Sequence, residues 1–280
     1  MKLMNTNYGI ARLADEAMVE VLDTTHTELG QAIKAGALTM LCNAGVKTRL
    51  PVQDVTMLAP IAVPPRYFIV GLNYQAHADE VKLPTSNLKQ EPSQPIYGIA
   101  NGQSVSGPGQ DIILPDEYPD KVDYEGEVGI VIGKKCENVS EQEAWAYVAG
   151  LTAVNDVSAR DIQRTLMQAG DNFAEAKAYP SFKPTGPVLV TTDELVQPLE
   201  LSVKTFVNGE QRQDGNTRDM IHDVAKLIAY LSSQEPLLAG DIVCTGTPDG
   251  VGAPQGKFLK SGDVVEVQIG DWPVLKNSVV

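Results

Sequence analysis

The chain has 280 residues, 43% of them hydrophobic, which is enough for one large domain or two modest ones with a sizeable core. Its formal net charge is −14, from 22 Lys and Arg against 36 Asp and Glu. That balance argues against a nucleic-acid partner, because phosphate binding needs clustered cations, but it allows an anionic small molecule if a bound cation reverses the local field.

No apolar run approaches the ~20 residues of a membrane span, and the opening MKLMNTNYGIARLADE has no continuous signal core. A soluble cytoplasmic protein with no membrane contact is expected. Cys42, Cys136 and Cys244 are scattered and form no CxxC pair, which suits a reducing compartment and a role as small buried hydrophobes.

The first elements suggest a small α+β unit over residues 1–62, followed by a catalytic domain over 63–280. Residues 8–21 read as a short strand pair, and Thr27 to Ala35 as a helix with Thr27 at its N-cap. APIAVPP (59–65) reads as a linker. Tyr67 to Val70 is a buried strand, broken by Gly71 and Asn73, after which a short helix holds His77 and Glu80. Residues 81–95 are polar and carry three prolines, so a flexible loop is expected there.

Ile112 to Leu114 and Glu125 to Ile132 read as strands, Glu141 to Val148 as a helix, and Gly150 to Asn155 as a further strand. Leu201 to Val207 alternates and meets Asn208-Gly209, a hairpin signal. Arg218 to Leu231 has helical spacing, and Asp241 to Cys244 and Val264 to Ile269 complete the strands. Many strands, few helices and no βαβ rhythm predict a mostly β fold with some α, a roll of mixed but largely antiparallel strands.

Four local patterns could carry chemistry. In Glu125-Gly-Glu127, strand geometry puts both carboxylates on one face, ~7 Å apart. A cation between them would relieve their repulsion and desolvation; a solvated strand face is the plainer reading. Asn155-Asp156 ends an apolar run, where Asp156 could be a third ligand or a turn residue. Three carboxylates form a hard oxygen set that favours Mg²⁺, Mn²⁺ or Ca²⁺ over zinc. His77 and Glu80 share a helix face, either as an oriented general base or as a solvated pair. Thr245-Gly-Thr-Pro-Asp-Gly-Val-Gly252 offers backbone N–H groups for a carboxylate, or is an ordinary tight turn.

Together these segments resemble the fumarylacetoacetate hydrolase family. The resemblance rests on VGLNYQAHADE (70–80), DYEGEVGIVIGK (123–134), AVNDVSARDIQ (153–163), KAYPSFKPTGP (177–187) and GDIVCTGTPDGVG (240–252), in the family's order. It implies a β-roll, usually homodimeric, acting on a small 2-oxo acid. Glu125, Glu127 and Asp156 match the family's metal ligands, for Mg²⁺ or Mn²⁺. Lys177 matches a lysine facing the substrate's oxygens. Arg160, Gln163, Gly246 and Thr247 match substrate-binding positions, and His77 and Glu80 match a catalytic dyad on a lid that residues 81–95 would extend.

The implied reaction is hydrolysis of a carbon–carbon bond in an acylpyruvate or fumarylacetoacetate-like acid. The alternatives are isomerisation or decarboxylation of a hydroxyheptadienedioate or oxaloacetate type, or a lyase or dehydratase reaction. Three positions depart from the family pattern: Pro180 replaces an aspartate, Ala100 stands near an expected lysine, and Phe173 replaces a tryptophan.

Overall fold

The computed structural model describes residues 1–81 and 93–280. The sequence-predicted loop at 81–95 therefore lies largely outside the described residues.

The main sheet is mixed. Its strand order is Val46–Pro51, Met18–Leu22, Gly9–Leu13, Lys2–Thr6, Leu189–Thr191, Val148–Asn155, Gly126–Ile132, Ile242–Cys244, Arg66–Gly71 and Ile96–Asn101. Neighbours on this path are antiparallel except Ile242–Cys244 and Arg66–Gly71, which run parallel. A second, four-stranded sheet is ordered Glu210–Asn216, Ser202–Val207, Val264–Ile269, Leu275–Ser278. This is the mostly β roll the sequence predicts.

The central strand Gly126–Ile132 is buried along its whole length, so its two faces meet different cores. Val128, Ile130 and Ile132 pack with Val203, Val267 and Ile269 of the second sheet and with Leu227, Ile228 and Leu231 of a helix. On the opposite face, Val131 joins Val154, Leu189, Ile242, Leu3, Ile10, Leu29 and Ile33. Each such fully buried aliphatic side chain contributes about 1.5–3 kcal/mol. Residues 1–62 enter this arrangement directly, because Lys2 pairs with Val190 and Leu3 with Leu189. The APIAVPP segment is no solvated tether, since Ile61 is buried and Asn5 Nδ2 donates to Ala59 O at 2.9 Å and to Pro60 O at 3.1 Å.

Several element boundaries differ from expectation, each for a local reason. The first helix is Leu29–Lys34, capped by Glu28 and not by Thr27; the Glu28 carboxylate accepts from Gly30 N and Gln31 N. The helix from Glu141 stops at Ala144, passes through a 3₁₀ turn over Trp145–Tyr147, and becomes strand at Val148. The expected helix Arg218–Leu231 is shortened to Val224–Gln234, because Asp223 caps it by accepting from Lys226 N at 2.9 Å. Met220 and Ile221, whose apolar side chains extend the helical spacing, instead bind backbone beside Tyr74 and Asn73. Ile112 to Leu114 makes only an isolated bridge, running along the C-terminal residues through Ile112 N to Ser278 O and Leu114 N to Val280 O. Asn208 and Gly209, both at positive φ, form the predicted hairpin turn.

Candidate active site

Register brings the three carboxylates together. Gly126 pairs with Asn155 and Glu127 with Val154, so Asp156 falls opposite Glu125 one step further out. There the Asp156 N–H donates to Glu125 O at 2.8 Å. Side chains two apart on a strand share a face, which aligns Glu125 with Glu127. One carboxylate oxygen from each of Glu125, Glu127 and Asp156 lies within 4.8 Å of the other two, and all three residues are buried.

The residue between the glutamates faces the other way. A Cβ on Gly126 would lie 2.1 Å from Thr205 Oγ1 and 3.3 Å from Val267 Cγ1. Glycine is what lets the second sheet close against this strand, so the Glu-Gly-Glu spacing serves packing and chemistry together.

Cations answer two of the three carboxylates. Lys177 is buried and bridges Asp156 Oδ2, at 2.5 Å, and Glu125. Arg160 Nη2 lies 2.7 Å from Glu125 Oε1, and Arg160 Nε donates to Asp123 Oδ2 at 2.8 Å. Lys183, fully buried, places Nζ 2.7 Å from Asp156 Oδ1 and also donates to the Lys177 carbonyl. Burial alone would raise the Glu125 pKa, but Lys177 and Arg160 outweigh it and hold the carboxyl down at about 2. Burial works against the Lys177 charge in turn, and Asp156 and Glu125 more than compensate, lifting it above the ordinary lysine range.

Glu127 is different. Among the described residues no cationic side chain pairs with it, and its Oε2 accepts only the Gly246 N–H, at 2.8 Å. Burial first, then Asp156 and Glu125, push its carboxyl well above the usual range. What its buried charge lacks is a cation. The oxygen-only donor set fits a hard divalent ion, so this acidic triad can bind a metal.

A second group faces the same space. The helix Gln75–Val81 carries His77 and Glu80 on one face, with His77 Nδ1 3.5 Å from Glu80 Oε2. Both Glu80 oxygens accept the Gly250 N–H, at 3.0 and 3.1 Å. Burial would raise the Glu80 pKa, but His77 and the Gly250 N–H together hold it below the usual range. Tyr124, next to Glu125, donates its hydroxyl to Gly250 O at 3.1 Å. His77 also lies near enough to Glu125 to help hold its carboxyl down.

Asn73 joins the two groups. Its Nδ2 donates to Thr245 O at 2.7 Å and to His222 O at 3.0 Å, while its Oδ1 accepts from His222 N at 2.8 Å. Its Cβ lies against Gly246, where a side chain would come within 2.8 Å and where φ is +90°. The residue that presents an N–H to Glu127 is thus clamped by the segment leading into the His77 helix.

Gln163 takes part through Arg160, accepting from its Nη1 at 2.9 Å. Thr247 Oγ1 donates to Gly126 O at 3.0 Å and accepts from Gln213 Nε2 at 2.7 Å, so its one proton is committed inside the protein. Sequence reading missed Asp123, Lys183, Asn73 and Gln213. Asp123 extends the 125/127 alternation by one more step. Lys183 is a lone charge between Phe182 and Pro184. Either irregularity could have flagged its residue.

A β-rich roll with a buried, oxygen-only triad beside a His–Glu pair fits a class of enzymes with a site for a divalent metal. Residues 66–280 match the family model described as the fumarylacetoacetate (FAA) hydrolase C-terminal domain, and the chain belongs to that family. It is 38% identical over 267 residues to a mitochondrial oxaloacetate tautomerase of Rattus norvegicus, covering 95% of this chain and 80% of that protein. It is 41% identical over 249 residues to 2,4-didehydro-3-deoxy-L-rhamnonate hydrolase of Sphingomonas sp. (strain SKA58), covering 81% and 84%. Its fold matches maleylpyruvate hydrolase from Sphingobium sp. SYK-6, solved with manganese(II) and pyruvate, at a TM-score of 0.77, with 27% identity and coverage of 100% and 99%. The family thus includes hydrolases and tautomerases, and this chain is one of its enzymes.

Proposed function

We propose that the chain hydrolyses a carbon–carbon bond in a 1,3-dicarbonyl 2-oxo acid of the acylpyruvate or fumarylacetoacetate type. The observation that carries this reading is the His77–Glu80 pair facing the Glu125, Glu127 and Asp156 triad: a base opposite a site for an oxyacid. The triad holds Mg²⁺ or Mn²⁺, with Ca²⁺ sharing the same oxygen preference. When bound, such an ion supplies Lewis-acid polarisation of the substrate's 2-oxo group.

The protein's own residues do the rest. Lys177 places fixed positive charge beside the 2-oxo oxygen. Arg160 holds Glu125 in place and orients Gln163 toward the substrate, while Gly246 and Thr247 line its carboxylate end. His77, oriented by Glu80, takes a proton from water as the water oxygen adds to the distal carbonyl carbon. The bond between that carbon and C3 of the 2-oxo acid then breaks. Its electron pair passes to the 2-oxo acid fragment, which takes the proton back and leaves as a pyruvate-type product beside a new carboxylic acid.

The similarity to an oxaloacetate tautomerase over most of the chain favours a second reading, in which His77 only relocates a proton. Isomerisation of hydroxyheptadienedioate, decarboxylation, and lyase or dehydratase chemistry of a 2-oxo acid would draw on the same groups. Turnover of acylpyruvates, oxaloacetate and hydroxydienedioates with Mg²⁺ or Mn²⁺ in H₂¹⁸O separates them: hydrolysis places ¹⁸O in the released acid. Oxaloacetate tautomerisation without acylpyruvate cleavage would replace the first reading by the second.

We also place the protein in the cytoplasm as a homodimer with no nucleic-acid or membrane partner. Its free cysteines support the cytoplasmic placement, and its acidic net charge supports the absence of a nucleic-acid partner. No helix among the described residues is long and apolar enough to cross a membrane.

A further inference from the structure

On the dyad's side stands a cation that the chemistry above does not use. The strands Ser202–Val207 and Glu210–Asn216 lose register between Thr205, paired with Gln213, and Phe206, paired with Gln211. Arg212 is the extra residue of this bulge. Bulges re-aim side chains and recur beside active sites. Gln213, its neighbour, already reaches Gly126 N and Thr247 Oγ1, at 2.9 and 2.7 Å.

The Arg212 backbone packs under Gly250, the residue that Glu80 and Tyr124 both hold: a Cβ on Gly250 would lie 2.0 Å from Arg212 O. The guanidinium stands beside the Tyr124 hydroxyl, near enough to work against the burial that pushes that hydroxyl up to about 12. Among the described residues its one ion pair is from Nη2, at 3.1 Å to Glu210, whose side chain is 57% exposed. Nε and Nη1 are buried and, apart from the Tyr124 hydroxyl beside them, have no hydrogen-bond partner among the described residues. A desolvated guanidinium with unused donors is costly unless an acceptor arrives. Its planar fork matches a carboxylate.

We propose that Arg212, beside Tyr124, binds a second, distal carboxylate of the substrate, so that the enzyme takes dicarboxylic 2-oxo acids. This rests on the 2-oxo-acid reading given above. The triad receives the 2-oxo acid end, the dyad faces the middle of the molecule, and Arg212 receives its far end.

Calorimetric titration of the Mn²⁺-loaded protein with non-reacting probes tests this. Oxalate reports on the 2-oxo-acid end alone; 2-oxoglutarate and 2-oxopentanoate differ only in the distal carboxylate. Wild-type protein should bind 2-oxoglutarate about 10–100-fold more tightly than 2-oxopentanoate, the range of a charge-assisted hydrogen-bonded pair. Arg212→Met should abolish that preference and leave oxalate affinity unchanged. Arg212→Lys, which keeps the charge without the fork, should retain part of it, and unchanged oxalate binding shows that each variant is folded. Oxalate binding without a dicarboxylate preference in wild type, or a preference that survives in Arg212→Met, overturns the anion site alone. Failure of wild type to bind oxalate overturns the 2-oxo-acid reading and the anion site with it.

Discussion

The two halves of the site are built differently. The triad sits on the central strands of the main sheet, and each of Glu125 and Asp156 is held by two cations. The dyad sits on the seven-residue helix Gln75–Val81, anchored by Glu80 on one backbone N–H and by Asn73 at its start. One half is over-determined by register and charge; the other hangs from a few hydrogen bonds. An enzyme family that keeps the first half and adjusts the second can change what happens to a 2-oxo acid without rebuilding how it is held. The relatives, which include both hydrolases and a tautomerase, fit that division.

The comparison breaks most sharply at Asp156. Asp156→Ala leaves Lys183 buried without its counter-charge and strips Lys177 of one partner. Unpairing a buried ion in this way costs about 3–5 kcal/mol, so a urea titration should show a large loss of stability together with loss of activity. A variant as stable as wild type would mean that the triad half is not over-determined.

His77→Ala addresses the other half. It should lower kcat by about 10²–10⁴-fold while Mn²⁺ and oxalate affinities stay within a factor of two or so, because only the base is removed. A matching loss of affinity would merge the two halves into one unit.

Gly126→Ala tests the packing behind the triad. A methyl group there meets Thr205 Oγ1, and such overpacking costs about 1–3 kcal/mol. Adding Thr205→Ala should recover part of the loss in thermal melts, and no recovery would place the constraint elsewhere.

The smallest expected effect is one of pH. Glu125 has its folded pKa depressed to about 2 from an ordinary 4.5, so its stabilisation is present above 4.5 and is lost as pH falls toward 2. Glu127 has the opposite sign. With its folded pKa raised, stability present below 4.5 is lost as pH rises through the raised value. A divalent cation pairs with the ionised form, so the increase in melting temperature on adding Mg²⁺ or Mn²⁺ should grow with pH across that window. Chelator should reverse it, and Glu127→Gln should flatten it. A metal-induced shift independent of pH would remove Glu127 from the ligand set.

Much of the site was legible because it depends on short-range periodicity. Strand alternation alone puts Glu125 and Glu127 on one face, and helical spacing puts His77 near Glu80. What chemistry those faces served was not legible from spacing, where a solvated strand was the plainer reading; the ordered motifs decided it. The contacts that needed tertiary register stayed hidden. Asp156 meets Glu125 only through strand pairing, Lys183 reaches Asp156 across a turn, and Arg212 is re-aimed by a bulge that no local pattern announces. In the fold, the strands around the site were clear, but Val46–Pro51, Ile96–Asn101 and Leu275–Ser278 were not, and Ile112 to Leu114 made only a bridge. The helix start at Val224 was masked by Met220 and Ile221, whose apolar side chains mimic a helical stripe that Asp223 interrupts.

The ion pairs described above also set an order of events. Asp123, Glu125, Glu127 and Asp156 face Arg160, Lys177 and Lys183, so four negative groups meet three positive ones. An anion approaching this cluster is repelled while Glu127 is ionised and gains little when it is protonated. Once two positive charges are added the balance becomes attractive, and a singly charged oxyacid brings it back to neutrality. Saturation kinetics should therefore show compulsory sequence, with the apparent affinity for the organic acid falling away as free divalent cation is withdrawn.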